Sequence, residues 1–538
     1  MNHQIYPESQ MDALLPLSLN WHGDSPLECT NETLRSCLHR LDHPIFILQN
    51  DHRSAVSSEG NIDGSDGAWK VRGFAPALLP DTLGDPLFRQ TYGLKYALYG
   101  GSMANGISSE EMVIALGKAG FMGSFGAGGL LPARIEKAID RIQQDLEGKP
   151  HAFNLINSPF EPALEEKAAE LYLQHGIHVI EASAYLTPTK SLVRYRAAGL
   201  SRNADGSVHI GNKVIAKVSR KEVAAKFLSP CAEDMLSQLV SEGKISEEQA
   251  LLARLVPVAD DITVEADSGG HTDNRPLVGI LPAIIKLRDE FQDKHAYAQL
   301  VRIGAAGGIA TPASTLAALM MGAAYVVTGS VNQSCVESGA SEHSRNLLSV
   351  MDIADVAMAP ASDMFEMGVK VQVLKRGTMF AMRAQKLFEL YQRYESIDEL
   401  PAADREKLET TIFKRSLDSV WEECIKFFSE RDPKQIERAQ QKPKDKMALI
   451  FRWYLGLSSR WSAIGEKGRE MDYQIWTGPS LGAFNDWTKG TYLADPQHRH
   501  VADVSMQLLN GAAYLLRLRM LEAQGLRFEP QVAQYLPQ

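Results

Sequence analysis

Residues 265–273, Glu265-Ala266-Asp267-Ser268-Gly269-Gly270-His271-Thr272-Asp273, run from an acidic, apolar strand into paired glycines and a histidine. Without a Cβ, Gly269 and Gly270 admit positive φ and let main chain lie against a flat ligand. The imidazole of His271 donates or accepts a proton near neutral pH. Alone, such a triplet is equally a turn carrying a solvated histidine, so its meaning depends on what surrounds it.

Two further glycine clusters lie downstream. Gly304-Ala305-Ala306-Gly307-Gly308-Ile309 precedes a helix starting near Pro312, and Thr328-Gly329-Ser330 follows an apolar run. Placed after the last two strands of a β/α barrel, Gly307, Gly308, Gly329 and Ser330 would converge backbone N–H groups on a phosphate. Earlier, Gly100-Gly101-Ser102-Met103-Ala104-Asn105 offers main chain to a planar ring, and Asn154 and Lys217 would point into the barrel mouth. Asn154 could instead cap a turn, and Lys217 could snorkel to the rim. Neither G-x-G-x-x-G nor G-x-x-x-x-G-K-[ST] occurs, so a Rossmann dinucleotide domain and a P-loop are unsupported.

The elements that must position these residues follow from periodicity. Short apolar runs alternate with amphipathic stretches from about Tyr96 to Ser330, the pattern of a parallel sheet wrapped by helices. Strands are expected at Tyr96–Tyr99, Phe121–Phe125, Ala152–Ile156, His178–Ala182, Lys213–Val218, Ile262–Glu265, Leu300–Ile303 and Ala324–Thr328, enough for a closed (β/α)8 TIM barrel over 95–378. Core-facing stripes mark helices at Ser109–Lys118 and Pro132–Leu146. Between the fifth and sixth strands, residues 229–261 hold a helix hairpin, Cys231–Glu242 and Ser246–Leu255, which could be a lid or substrate wall or a packing decoration. Residues 1–94 read as a small β-rich module, with strands at His43–Gln49 and Ala68–Phe74 and a turn at Asn61–Gly67. Residues 379–538 are helical and charged, with an aromatic, turn-rich segment at Trp476–Trp487 that suits a packing plug or a docking surface.

Composition bounds the partners. The 538 residues carry a net charge of −10, which disfavours nucleic acid. Five scattered cysteines without a C-x-x-C pair suit a reducing cytoplasm and give neither a zinc site nor a disulfide framework. The first 20 residues lack a signal-peptide pattern, and the most apolar run, Leu316–Val327, is too short to span a bilayer.

In order and spacing, Gly101-Ser102-Met103-Ala104, the helix at Ser109–Gly120 with Gly123 and Gly126, Ser268-Gly269-Gly270-His271, Ala306-Gly307-Gly308-Ile309 and Gly329-Ser330 resemble the flavin barrels of the nitronate monooxygenase and FMN-dependent enoyl reductase group. The Glu265–Pro276 string, the helix hairpin and Trp476–Trp487 resemble the PfaD-type enoyl reductases that accompany polyunsaturated fatty-acid and polyketide synthases. The resemblance implies FMN at the C-terminal mouth, its ring against Gly101, Ser102, Met103 and Ala104, with Asn154, Lys217, Gly269 and Gly270 nearby. Its phosphate would lie on Gly307, Gly308, Gly329 and Ser330, and His271 would face the substrate as the catalytic residue. Ser330 stands where threonine is frequent in the group, and the hydroxyl is kept.

The resemblance further implies a trans-acting reductase of 2-enoyl thioesters on the acyl carrier protein domains of a multidomain synthase. NAD(P)H would be the hydride donor, NADPH in preference, and general frequency favours a homodimer. Two alternatives stay open: a nitronate monooxygenase-type flavoenzyme, which shares barrel and histidine, and a non-catalytic scaffold component of the synthase.

Overall fold

The computed structural model describes residues 19–51, 53–157 and 161–538. Residues 1–18, most of the segment read for a leader, lie outside that description. Eight parallel strands form the centre: β1 (Leu98–Gly100), β2 (Met122–Phe125), β3 (Ala152–Ile156), β4 (Val179–Ser183), β5 (Lys213–Val218), β6 (Asp261–Glu265), β7 (Arg302–Ala306) and β8 (Val326–Thr328). Each pairs with the next in sequence, and β8 closes the barrel on β1.

Side chains alternate across each strand, so residues two apart share the lumen and stack in layers. At the lower end Asp261 and Arg302 form a buried bidentate pair at 2.6 and 2.7 Å, and Tyr92 of the helix Pro86–Tyr92 donates to the same carboxylate at 2.5 Å. Above it, Thr263 Oγ1 joins the hydroxyls of Tyr325 and Tyr99 at 2.9 and 3.2 Å. The next layer belongs to the mouth.

The seventh strand differs from the expected Leu300–Ile303. Gly304, Ala305 and Ala306, taken with the glycine cluster, lie inside β7. A Cβ on Gly304 would fall 2.2 Å from the Tyr325 ring, so the small residues mark room for an aromatic in the lumen rather than the end of the strand. Small residues have low strand propensity, which hid them. The helix expected at Ser109–Lys118 forms as Glu110–Lys118, with the Ser109 hydroxyl accepting from Met112 N–H.

The helix hairpin is present as Glu233–Ser241 and Glu247–Ala253, but it forms no lid. It lies along the outer flank of the helix Lys190–Ala198, with Lys190 Nζ on Glu242 at 2.8 Å at one end and Gln249 Nε2 donating to Ala198 O at 3.0 Å at the other. The physical reason is its place in the chain. It follows a barrel helix, whereas lids grow from the loops that follow strands.

The N-terminal module is a six-stranded antiparallel sheet. Asn61–Asp63, expected as part of a turn, is its edge strand and pairs with Asn20–His22. The last helix, Val501–Ala523, anchors this module through Arg517. That guanidinium is fully buried and donates to three carbonyls, Leu38 and Arg40 at 3.0 Å and His43 at 2.8 Å, capping the end of the helix Asn31–His39. Burial pushes its pKa down to about 10, so it stays charged at neutral pH.

Helices Phe380–Arg393, Leu417–Arg431 and Pro443–Ile464 build the C-terminal region. Its pin is the fully buried Asp472, bonded to Arg383, to Tyr454 OH at 2.9 Å and to Arg469 at 3.1 Å. The segment Trp476–Trp487 is not all loop: Ser480–Thr488 is helical. Two strands that periodicity missed, Val356–Pro360 and Lys370–Leu374, pair antiparallel, and the second pairs with Gly270–His271.

Arg517→Met, which removes the cap from three carbonyls, should cost about 3 kcal/mol in chemical denaturation. Arg519→Met, at an exposed ion pair with Glu522, should change stability by less than about 0.5 kcal/mol.

Candidate active site at the barrel mouth

β4, β5 and β6 bring Glu181, Lys217 and Glu265 together above the hydroxyl layer. Lys217 Nζ lies 2.8 Å from Glu265 Oε1 and 3.6 Å from Glu181 Oε1. Burial works against the ammonium, yet the two carboxylates hold it above the ordinary lysine range. Glu181 is fully buried, and its Oε2 accepts from Ser102 N–H at 2.8 Å. Its Oε1 has no hydrogen-bond partner.

The rim after β1 is stitched in place. Gly101 N–H donates to Thr328 O at 2.9 Å, and the Ser108 hydroxyl donates to Gly101 O at 2.9 Å and accepts from Met103 N–H at 3.0 Å. A Cβ on Gly126 would sit 1.8 Å from Met103 O, so only glycine permits this approach. Asn105, at φ 60°, donates from its amide to Ser459 Oγ of the C-terminal region at 3.3 Å. Gly101 to Ala104 is thus a rigid edge.

The turn after β6 is held by two outside segments. Gln372 Nε2 donates to Asp267 Oδ1 at 2.8 Å and Ser268 O at 2.7 Å. A Cβ on Gly269 would lie 2.8 Å from the Thr477 backbone, so main chain packs directly on main chain. Gly270 has φ 75°, and His271 follows with its side chain 39% exposed and Nε2 3.1 Å from Asp363 Oδ1. Desolvation in the cleft opposes the imidazolium, but the hydrogen bond and charge of Asp363, with Glu265 behind, raise the His271 pKa above its ordinary value. Ser268 Oγ is buried and unpartnered.

After β7, Gly307 and Gly308 have φ 77° and 83°, and Gly307 packs on the Ala266 and Asp267 backbone. A Cβ on Gly308 or on Gly329 would meet nothing within 4 Å, so both turns border open space. Thr328 Oγ1 is buried without a partner, and Ser330 Oγ accepts from Gly478 N–H at 2.9 Å, leaving its own proton to donate. Open space at two glycines and unpartnered oxygens on Glu181, Ser268 and Thr328 suit a polar, flat ligand with an anionic tail.

Asn154 sits on β3, 3% exposed, and spends its amide N–H groups on Glu181 O at 3.0 Å and Ser183 Oγ at 2.8 Å. Its donors are therefore used within the barrel wall. Glu181, Asp363, Gln372 and the Thr477-Gly478 pair were not assigned to the site from sequence. Glu181 carried a signal, a lone carboxylate inside the apolar run Val179–Ser183. Asp363 and Gln372 carried none, since they reach the turn from 92 and 105 residues away, and Thr477-Gly478 stood out only as part of the turn-rich segment Trp476–Trp487, with nothing to show that it packs on Gly269 and Ser330.

Residues 87–399 match the nitronate monooxygenase family model, and residues 394–473 match a model described as the inserted helical domain of [acyl-carrier-protein] S-malonyltransferase. The chain belongs to the nitronate monooxygenase family of flavin barrels, an oxidoreductase class. It is 50% identical over 93% of its length to a component of the polyunsaturated fatty acid synthase of Thraustochytrium sp., of which it spans 34%. It is 47% identical over 84% of its length to the polyketide biosynthesis protein PksE of Bacillus subtilis, of which it spans 58%. The enoyl reductase domain of MlnA, from the macrolactin cluster of Bacillus amyloliquefaciens, superposes with a TM-score of 0.78 at 42% identity, covering 82% of this chain and 99% of that domain. Among the described residues no helix is long and apolar enough to cross a membrane, and no cluster of metal-ligating side chains occurs.

Two substitutions separate packing from binding in the ligand-free protein. Gly269→Ala, pressed against the Thr477 backbone, should cost about 1–3 kcal/mol in a denaturant melt. Ser268→Ala, which removes a hydroxyl with no partner, should change stability by less than about 0.5 kcal/mol.

Proposed function

We propose that this chain is an FMN-dependent enoyl reductase that acts on 2-enoyl thioesters carried by acyl carrier protein domains of a multidomain fatty-acid or polyketide synthase, with NADPH as hydride donor. The observation that carries the reading is the likeness to an enoyl reductase domain along 99% of that domain. The match of residues 394–473 to a region of an acyl-carrier-protein transferase supports the carrier-protein partner.

FMN held at the mouth would supply two-electron redox chemistry between reduced nicotinamide and the enoyl group. The chain's own residues bind, orient and move protons. Gly101 to Ala104 form the fixed edge for the ring, with Asn154, Gly269 and Gly270 completing its surroundings. Gly307, Gly308, Gly329 and the Ser330 hydroxyl take the phosphate. Lys217 offers a positive charge that Glu265 and Glu181 keep in place. His271 stands at the substrate side with Nε2 on Asp363, and its other ring N–H delivers the proton that the α-carbon needs. Asp363 orients that imidazole and favours its protonated form.

The first test is optical. The purified protein should show a flavin spectrum, and it should oxidise NADPH when a 2-enoyl thioester is supplied. A protein that neither holds nor takes up FMN would overturn the proposal. Rapid oxygen consumption with a nitronate, without turnover of enoyl thioester, would instead select the nitronate monooxygenase reading that the family model favours.

His271→Ala should lower kcat by about 100-fold while FMN stays bound. An acid that must be protonated works below its pKa, so the rate should fall as pH rises through the raised His271 value. Asp363→Asn withdraws the charge that helps raise it while keeping an amide oxygen for Nε2, and should shift the falling limb to lower pH. A pH–rate profile unmoved by Asp363→Asn would remove His271 as the acid.

A further inference from the structure

We infer that Glu181 is a binding residue of the mouth, its Oε1 accepting a hydrogen bond from an N–H or O–H donor of the bound flavin; this rests on the FMN reading above. The buried carboxylates elsewhere in the barrel define the contrast. Asp261 receives both arms of Arg302 and the Tyr92 hydroxyl, and Glu165 receives bonds from Asn157, Tyr185 and Thr189. Among the described residues, Glu181 Oε1 is the one solvent-inaccessible carboxylate oxygen without a hydrogen bond.

Leaving a buried acceptor open is costly, more so when it carries charge. Lys217 offsets the charge from 3.6 Å but spends its short contact, 2.8 Å, on Glu265. The other oxygen is fixed by Ser102 N–H at 2.8 Å, so the carboxylate cannot turn away. The open oxygen lies 3.6 Å from where a Cβ on Gly101 would be, at the rim that faces the ring. The protein's nearest donor, Lys217 Nζ, stays 3.6 Å from this oxygen, at the place where the ligand has donors to offer. Oxidised flavin carries one ring N–H and several ribityl hydroxyls, and either satisfies the oxygen.

Glu181→Gln tests the assignment. The glutamine oxygen can keep the Ser102 bond, which turns an N–H₂ group toward the ligand's donor. FMN titrated into the ligand-free protein and followed by fluorescence quenching should bind at least about 10-fold more weakly to Glu181→Gln. The circular dichroism melt of the ligand-free variant should match the wild type or rise. Titration with 3-methyl-FMN identifies the donor. If it is the ring N–H, the wild type loses affinity for this analogue and Glu181→Gln does not discriminate. If it is a hydroxyl, the analogue binds the wild type like FMN, and an analogue lacking one ribityl hydroxyl shows the loss.

An unchanged FMN Kd in a folded Glu181→Gln overturns the inference and leaves the cofactor reading standing. Absence of FMN binding to the wild type overturns both. Should the variant not fold, the wild type alone decides: indifference to the methylated analogue and to every deoxyribityl analogue overturns the role.

Discussion

A parallel barrel needs its lumen filled, and here the filling is polarised from one end to the other. The pair Asp261 and Arg302, locked by Tyr92, seals the lower end with every carboxylate oxygen bonded. Breaking such a buried pair would strand a charge, so the lower end is fixed. The hydroxyl layer of Thr263, Tyr325 and Tyr99 continues the seal. Only the C-terminal end keeps charges with spare bonding capacity, and that asymmetry sends ligand chemistry to the mouth. The usual siting of function in this architecture becomes, in this chain, a matter of which layer has its hydrogen bonds complete.

The helical C-terminal region is part of that mouth. It touches the rim at three loops: Ser459 on Asn105, Thr477 against Gly269, and Gly478 on Ser330. Two of these contacts are main chain against glycine or a single small hydroxyl, with no side chain to absorb an error. The region must therefore sit at a fixed height, and Asp472 with its cationic and phenolic partners fixes it. A displacement in the helices would be felt at the turn that carries His271.

The eight strands were legible because buried parallel strands read as short apolar runs between helical stripes. The edges were less so. Gly304 and its neighbours looked like a turn because their smallness serves Tyr325, which is 21 residues away and invisible to local pattern. The hairpin at Glu233–Ala253 was legible as helix but not as to place, since that depends on which end of the barrel its flanking elements reach. Around the site, the glycine turns and His271 announced themselves by type. Asp363 and Gln372 did not, because their roles come from long-range contacts that leave no period in the sequence, and the segment around Gly478 stood out without showing what it packs on. Glu181 lay between these cases: a carboxylate in an apolar strand is conspicuous, but only the surrounding bonds show that one oxygen is spare.

The Arg517 cap also dictates a timetable. Its acceptors at residues 38 to 43 are synthesised up to 479 residues before the guanidinium that satisfies them. At about 5–20 residues per second of translation, that gap is on the order of 25–100 s. Through that interval the N-terminal sheet lacks the helix that covers it. Its apolar face, including the surface of Gly73 on which Leu521 and Leu526 later pack, is then a target for chaperones or for other nascent chains. Completion of the N-terminal module thus waits on a side chain made long after its own residues.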